Sequence, residues 1–261
     1  MPRREPVSRE RLEEHRRVWA RKPVLADLYA VWFDALLERV PVGGSALEVG
    51  AGPGFLTAYA GRKRPDLRWV ATDIVEAPWN ALVADAQSLP FRDEAFDAVV
   101  GLDLIHHLAR PLSFLEDACR VVKPGGRIAA VEPWVTVLSY PVYRWLHHEA
   151  CTMGVDPSAP FGAGEKQAFD GDSAVPREVV RSLPASEWER MGLSRPQVLP
   201  MNGFGYLLSL GFRPPSLLPR SLGGLLIRTD RARAPLAPWL GMRALLAWDR
   251  RAATSAVRAA G

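Results

Sequence analysis

The sequence predicts an α/β protein built on a doubly wound parallel sheet, and three observations carry that reading. Apolar runs of strand length alternate with amphipathic helical stretches between residues 45 and 135. Those runs are apolar on both faces, as parallel strands sandwiched between helices must be. The first run leads into "LEVGAGPGF", residues 47–55, where three glycines at alternate positions mark the turn from a strand into a helix.

Taken in order, the chain reads as helical from Ser8, with Leu25, Leu28, Tyr29, Trp32, Phe33, Leu36, Leu37 and Val40 at the i, i+3, i+4 spacing of one buried face. Pro23 splits this stretch into two helices. After "PVGG" (41–44) come a strand at 45–50, a helix at 53–64, a strand at 67–74, a short strand at 80–86 and a strand at 96–104. A helix at 111–122 follows, with Leu112, Leu115, Cys119 and Val122 along one stripe. Pro111 suits its first position, and Pro124, Gly125 and Gly126 turn the chain into a strand at 126–134.

After Trp134 the alternation dissolves. Residues 136–185 are rich in Pro, Gly and aromatics, with one helix expected at 139–150, and an insertion of this length in a compact domain reads as a lid. A helix at 176–191, a strand at 194–200, a Leu- and Pro-rich stretch and a last strand at 243–250 complete the chain. The organisation expected is one domain over residues 1–261: a helical cap at 1–42, a ligand-binding core at 45–135, the lid at 136–185 and the rest of the sheet at 186–261.

Composition narrows the classes. Hydrophobic residues make up 48% and charged residues 24%, which is globular rather than disordered. The net charge is +4, from 33 basic and 29 acidic residues, and the basic residues are almost all Arg, with Lys only at Lys22, Lys63, Lys123 and Lys166. No run of like charge suggests a nucleic-acid groove. Cys119 and Cys151 cannot form a disulfide framework, and no apolar stretch approaches the ~20 residues of a membrane span. A cytoplasmic protein, monomer or homodimer, with a small-molecule partner and neither nucleic acid nor membrane span, is the expectation.

The glycines name the ligand class. In an open α/β sheet ligands bind at the carboxyl ends of the strands, and Gly50, Gly52 and Gly54 let the backbone take positive φ and approach a ligand closely beside a helix N-terminus. A dinucleotide fingerprint G-x-G-x-x-G counted from Gly50 would need glycine at 55, where this chain has Phe55. The pattern is instead E-x-G-x-G-x-G. Carboxylates follow at the ends of later strands: Asp73, placed to accept from both ribose hydroxyls, Asp85, placed to accept from an adenine amino group beside the Ala86 backbone, and Asp103.

"LEVGAGPG", "ATD", "VADAQSLPF", "FDAVVGLDLIHHL" and "VVKPGGRIAAVEP", in this order and spacing, resemble the successive motifs of the class I S-adenosylmethionine-dependent methyltransferases, in particular the small-molecule type 11 group. The resemblance covers residues 45–135. It implies a Rossmann-like sheet of seven strands whose last strand is antiparallel, and S-adenosyl-L-methionine as cofactor. It places Glu48, Gly50, Ala51, Gly52 and Gly54 around the methionine end, Asp73 and Ile74 at the ribose, Asp85 and Ala86 at the adenine, and Asp103 at the same edge. The activity implied is methyl transfer to a small organic acceptor whose identity the resemblance does not carry over.

Methyl transfer needs alignment and exclusion of water, and a base only where the nucleophile carries a proton. His106 and His107 beyond the fourth strand, His148 on the lid helix beside His147 and Glu149, and Glu132 at the end of the fifth strand are the candidates for that polar chemistry. No chelating His-x-x-x-His spacing is present, so no metal is expected. Trp134, Tyr140, Tyr143, Trp145, Phe161 and Phe169 in and beside the insertion point to an apolar acceptor. The competing readings are a nucleotide-dependent oxidoreductase, which Phe55 opposes, and a protein that binds the cofactor without methyl transfer. An amino-methylating DNA enzyme would resemble N-P-P-[FY] where this chain reads "LDLIHH".

Overall fold

The computed structural model describes residues 9–147, 149–160, 170–201, 203–213, 220–232 and 234–252. Its centre is a seven-stranded sheet in the order β3-β2-β1-β4-β5-β7-β6. The strands are β1 Ser45–Val49, β2 Arg68–Asp73, β3 Leu82–Val83, β4 Phe96–Leu102, β5 Val122–Pro133, β6 Gln197–Met201 and β7 Arg243–Asp249. β7 runs antiparallel to both neighbours, and β1 to β5 pair in parallel. Strand order reverses between β1 and β4, so their carboxyl ends part to form the crevice in which such sheets hold ligands.

Helices cover both faces. On one side α2 (Pro23–Leu37) and α3 (Phe55–Lys63) bring Trp32, Phe33, Leu36 and Leu56 against Ala46, Val100, Val131 and Leu245. On the other, α4 (Pro111–Val121), α5 (Val175–Ser182) and α6 (Ala185–Arg190) bring Phe114, Leu115, Val179 and Trp188 against Leu47, Val99, Ile128 and Trp248. α1 (Arg9–Arg21) is separated from α2 at the expected proline and lies across the mouth of the crevice, held by buried Leu12, by Trp19 stacked at 4.0 Å on Phe55, and by Arg16, which donates to the Pro53 carbonyl at 2.7 Å.

Three expectations need correction. The helix expected at 139–150 is a single π-helical turn, Val142–Leu146, closed by the His147 N–H on the Val142 carbonyl. Only Tyr143 of that turn is buried, while Trp145 and Leu146 are 72% exposed, so no apolar stripe sustains a longer helix. The helix expected at 176–191 is two helices, because Pro184 removes an N–H and forces Leu183 into extended backbone. α5 also packs Val175 and Val179 into the main core, so the far end of the expected lid belongs to the body of the fold. The Leu- and Pro-rich stretch contains α7 (Phe204–Ser209), α8 (Arg220–Ala232) and α9 (Ala237–Leu240). No described helix is long and apolar enough to cross a membrane.

Candidate active site

The crevice continues into a cavity of about 660 Å³. At its sheet end the expected cofactor residues Glu48, Gly50, Ala51, Gly52, Asp73, Ile74, Asp85, Ala86 and Asp103 all line it, as do His106 and His107. The glycine turn is built for an approaching ligand. Gly52 sits at φ +50 with open space where a Cβ would point, whereas a Cβ on Gly54, at φ +76, would come 2.5 Å from Trp79 Cδ1. Gly54 therefore serves the turn itself and does not line the cavity.

Carboxylates set the loop. Asp73 accepts the Gly52 N–H at 2.7 Å and the Val75 N–H at 2.8 Å, so the residue expected at the ribose also holds the glycine turn in shape. Each oxygen keeps a further lone pair for a diol. Glu48, 3% exposed, accepts from Thr57 Oγ1 at 2.5 Å and Trp69 Nε1 at 2.8 Å, both on Oε2. Burial pushes its carboxyl up to about 7, against the pull of those two donors. Asp85 is exposed beyond the end of β3, with its Oδ1 accepting from the Gln87 N–H at 2.8 Å. A cradle without side chains, a carboxylate pair for a diol and a buried carboxyl for a cation fit S-adenosylmethionine.

Asp103 departs from its expected role. It stands at φ +54 just beyond β4, and its Oδ1 lies 2.5 Å from an Arg243 guanidinium nitrogen in an ion pair whose alignment is poor for a hydrogen bond. Burial raises the Asp103 carboxyl and Arg243 opposes it; beside a guanidinium that close we take it as ionised at neutral pH. Arg243, 6% exposed, also rests over the Trp32 ring at 4.4 Å. Arg243 was not among the residues expected from sequence, although an arginine opening the apolar run Ala244–Trp248 is a signal that a partner lies nearby.

Beyond the strand ends lies a polar cluster. Glu132, 0% exposed, accepts from the Leu104 and Ile105 N–H groups at 2.9 and 2.8 Å and meets His106 Nδ1 at 2.6 Å. Glu132, one of the sequence candidates for polar chemistry at the acceptor, is not among the residues lining the cavity; it positions the 105–107 turn and the His106 ring. Glu149 approaches from the insertion, 3.5 Å from His106 Nε2 and 3.7 Å from His107 Nε2. Burial alone would lower the His106 imidazole, but the Glu132 and Glu149 carboxylates push it up to about 10. Burial would raise Glu149, and His106, His107 and His147 around it hold it below the usual carboxylate range. His106 is thus no ready base at neutral pH. His148 lies outside the described residues, as do Phe161 and Phe169.

His147 ends the π turn in extended conformation, φ −81 and ψ 151. His147 and Glu149 both line the cavity. The remaining wall was not foreseen as a binding surface: Tyr29, Phe33, Phe55, Tyr206 and Phe212 face the cavity, with His15 of α1 stacked on Phe212 at 4.5 Å.

Residues 47–130 match the family model described as a methyltransferase domain. Residues 47–130 therefore carry a methyltransferase domain. A tRNA (carboxymethyluridine(34)-5-O)-methyltransferase of Arabidopsis thaliana is 36% identical over 35% of this chain, and the match spans only 24% of that protein. A ubiquinone/menaquinone biosynthesis C-methyltransferase of Burkholderia mallei is 28% identical over 71% of this chain and 83% of its own. A SAM-dependent methyltransferase structure from Thermotoga maritima superposes with TM-score 0.54 at 17% identity, covering 92% of this chain and 95% of that one. The seven-stranded sheet with its antiparallel β7 is the architecture that the sequence motifs implied.

Proposed function

We propose that this methyltransferase transfers a methyl group from S-adenosylmethionine to a small, apolar or aromatic organic acceptor. The observation that carries the reading is the continuity of the cavity: the glycine crevice opens directly into a chamber walled by Tyr29, Phe33, Phe55, Tyr143, Tyr206 and Phe212. Bound there, the cofactor supplies an electrophilic methyl on a sulfonium, which passes to a lone pair or carbanion of the acceptor as the C–S bond breaks toward sulfur. The protein's own work is alignment and the exclusion of water. Asp73 and the glycine turn hold the nucleoside, Glu48 faces the cationic end, and α1 with Phe212 closes the outer side. Rings on several walls suit a flat or hydrocarbon acceptor. The likeness to a relative named for ubiquinone and menaquinone biosynthesis is compatible with that choice.

The test is release of S-adenosylhomocysteine over a panel of phenols, quinols, aromatic amines and isoprenoids, with transfer RNA alongside. Turnover with a ring-bearing or hydrocarbon acceptor is expected. Turnover on RNA alone would remove the small-molecule reading. Tight S-adenosylhomocysteine binding with no turnover on any acceptor would favour a protein that uses the fold without methyl transfer, and binding of NAD(P) in its place would favour an oxidoreductase.

A further inference from the structure

The polar cluster at the acceptor end gathers three side chains of the kinds that ligate transition-metal ions. One ligand atom from each of His106, His107 and Glu149 lies within 4.8 Å of the others. The His106 and His107 rings stand 4.0 Å apart, and both turn Nε2 toward the Glu149 carboxylate, to opposite oxygens, at 3.5 and 3.7 Å. Both separations exceed the ordinary N–H···O range of about 2.7–3.2 Å. A tetrahedral ion with bonds of about 2.1 Å keeps its ligand atoms about 3.4 Å apart, close to the two imidazole–carboxylate separations and within reach of a small adjustment of the whole set.

A second observation supports the same conclusion independently. His106 Nδ1 is 2.6 Å from Glu132, and Glu132 is itself fixed by two backbone N–H groups. That is the outer support a metal-bound imidazole needs: a carboxylate holds one ring nitrogen as the donor, so the other presents its lone pair to the ion. His106, His107 and Glu149 all line the cavity, so the position left open faces the chamber assigned to the acceptor.

We propose that His106, His107 and Glu149 bind one divalent transition-metal ion of the zinc type, with an open coordination position directed into the acceptor chamber. Two imidazoles among three ligands suit such an ion and do not suit Mg²⁺ or Ca²⁺, which take oxygen ligands. With three protein ligands and an open position the arrangement is that of a catalytic rather than a structural metal. Its use rests on the methyl-transfer reading above, whereas the ion site itself does not. The ion coordinates an acceptor hydroxyl and lowers its pKa, so the proton leaves to water near neutral pH. The oxygen pair then forms the C–O bond with the methyl carbon while the C–S bond breaks toward sulfur, giving a methyl ether and S-adenosylhomocysteine. The acceptor class becomes an alcohol, phenol or enol.

The test uses the untagged full chain, stripped with a chelator and then titrated with Zn²⁺ by equilibrium dialysis and with Co²⁺ by visible absorption. S-adenosylhomocysteine affinity is measured on the same samples. One equivalent should bind, with the absorption of a four- or five-coordinate Co²⁺ site. Glu149→Gln and His107→Ala should each weaken it on the order of 100-fold or more, and Glu132→Gln about 10- to 100-fold, with S-adenosylhomocysteine affinity retained in all three. Metal binding below a tenth of an equivalent in a protein that still binds S-adenosylhomocysteine overturns the site and leaves methyl transfer standing. Binding that survives both Glu149→Gln and His107→Ala overturns it too, because the ion then sits elsewhere. A wild-type chain that binds the ion but no S-adenosylhomocysteine would keep the site and remove its catalytic use.

Discussion

The two ends of the cavity are built differently. The cofactor end comes from three short consecutive segments, 48–55, 73–75 and 85–86, and much of what it offers is backbone: a bare glycine turn whose shape Asp73 holds through the Gly52 N–H. The acceptor end is built from side chains that meet only in space. His106 follows β4, Glu132 lies on β5, Glu149 comes from the insertion and Arg243 opens β7. A site of backbone and adjacent residues leaves a motif in the sequence, and a site of converging side chains leaves scattered polar residues that could equally be solvated.

If the acceptor end is held together by buried charge, its failure should be one of stability. Arg243→Met strips the partner from Asp103 and leaves a carboxylate in a largely buried setting, for which breaking such a pair costs about 3 to 5 kcal/mol. Urea unfolding should show a loss of that order, partly relieved when Asp103→Asn is added. A loss under ~0.5 kcal/mol would mean that the pair is well solvated.

At the cofactor end the expected damage is to affinity. Asp73→Ala removes the acceptor for the ribose and the brace on Gly52, and should weaken S-adenosylhomocysteine binding by about 2 to 4 kcal/mol in a calorimetric titration. Arg243→Met, where it remains folded, should leave that affinity nearly unchanged. Equal effects of the two variants on cofactor binding would erase the contrast between the two ends.

The smallest effect should appear only as a pH dependence. With its carboxyl raised from 4.5 to about 7, Glu48 is protonated in the free protein below neutrality, so its ionisation costs the fold stability as pH climbs from about 4.5 to 7. A cationic ligand end favours the ionised form. Affinity for S-adenosylhomocysteine should therefore rise with pH up to about 7, by at most ~10-fold per unit, and level off above. Glu48→Gln should flatten that profile; an unchanged slope in the variant would assign the dependence to another group.

Most strands and the glycine turn that lines the cavity were legible because their causes are local. Two-sided apolar runs, Pro23 and Pro111 at helix starts, and alternating glycines at a strand end are each decided within a few residues. The departures share one origin. Whether 139–150 would form a helix depended on a buried face that only Tyr143 supplies, and whether α5 belonged to the lid depended on what Val175 and Val179 could reach. His106 looked like a base as long as its neighbours were unknown, and two carboxylates from distant segments shift its imidazole upward.

By itself the sequence determined the class of fold, the methyltransferase motifs and the glycine turn at the end of β1, because backbone conformation at a strand end is set by the residues next to it. Only the tertiary structure decided that Glu132 is a buried brace, that Asp103 faces Arg243, and that His106, His107 and Glu149 meet within 4.8 Å. Charge and coordination act through space at a few ångströms, and the groups concerned lie between 25 and 140 residues apart in the chain except for the adjacent histidines.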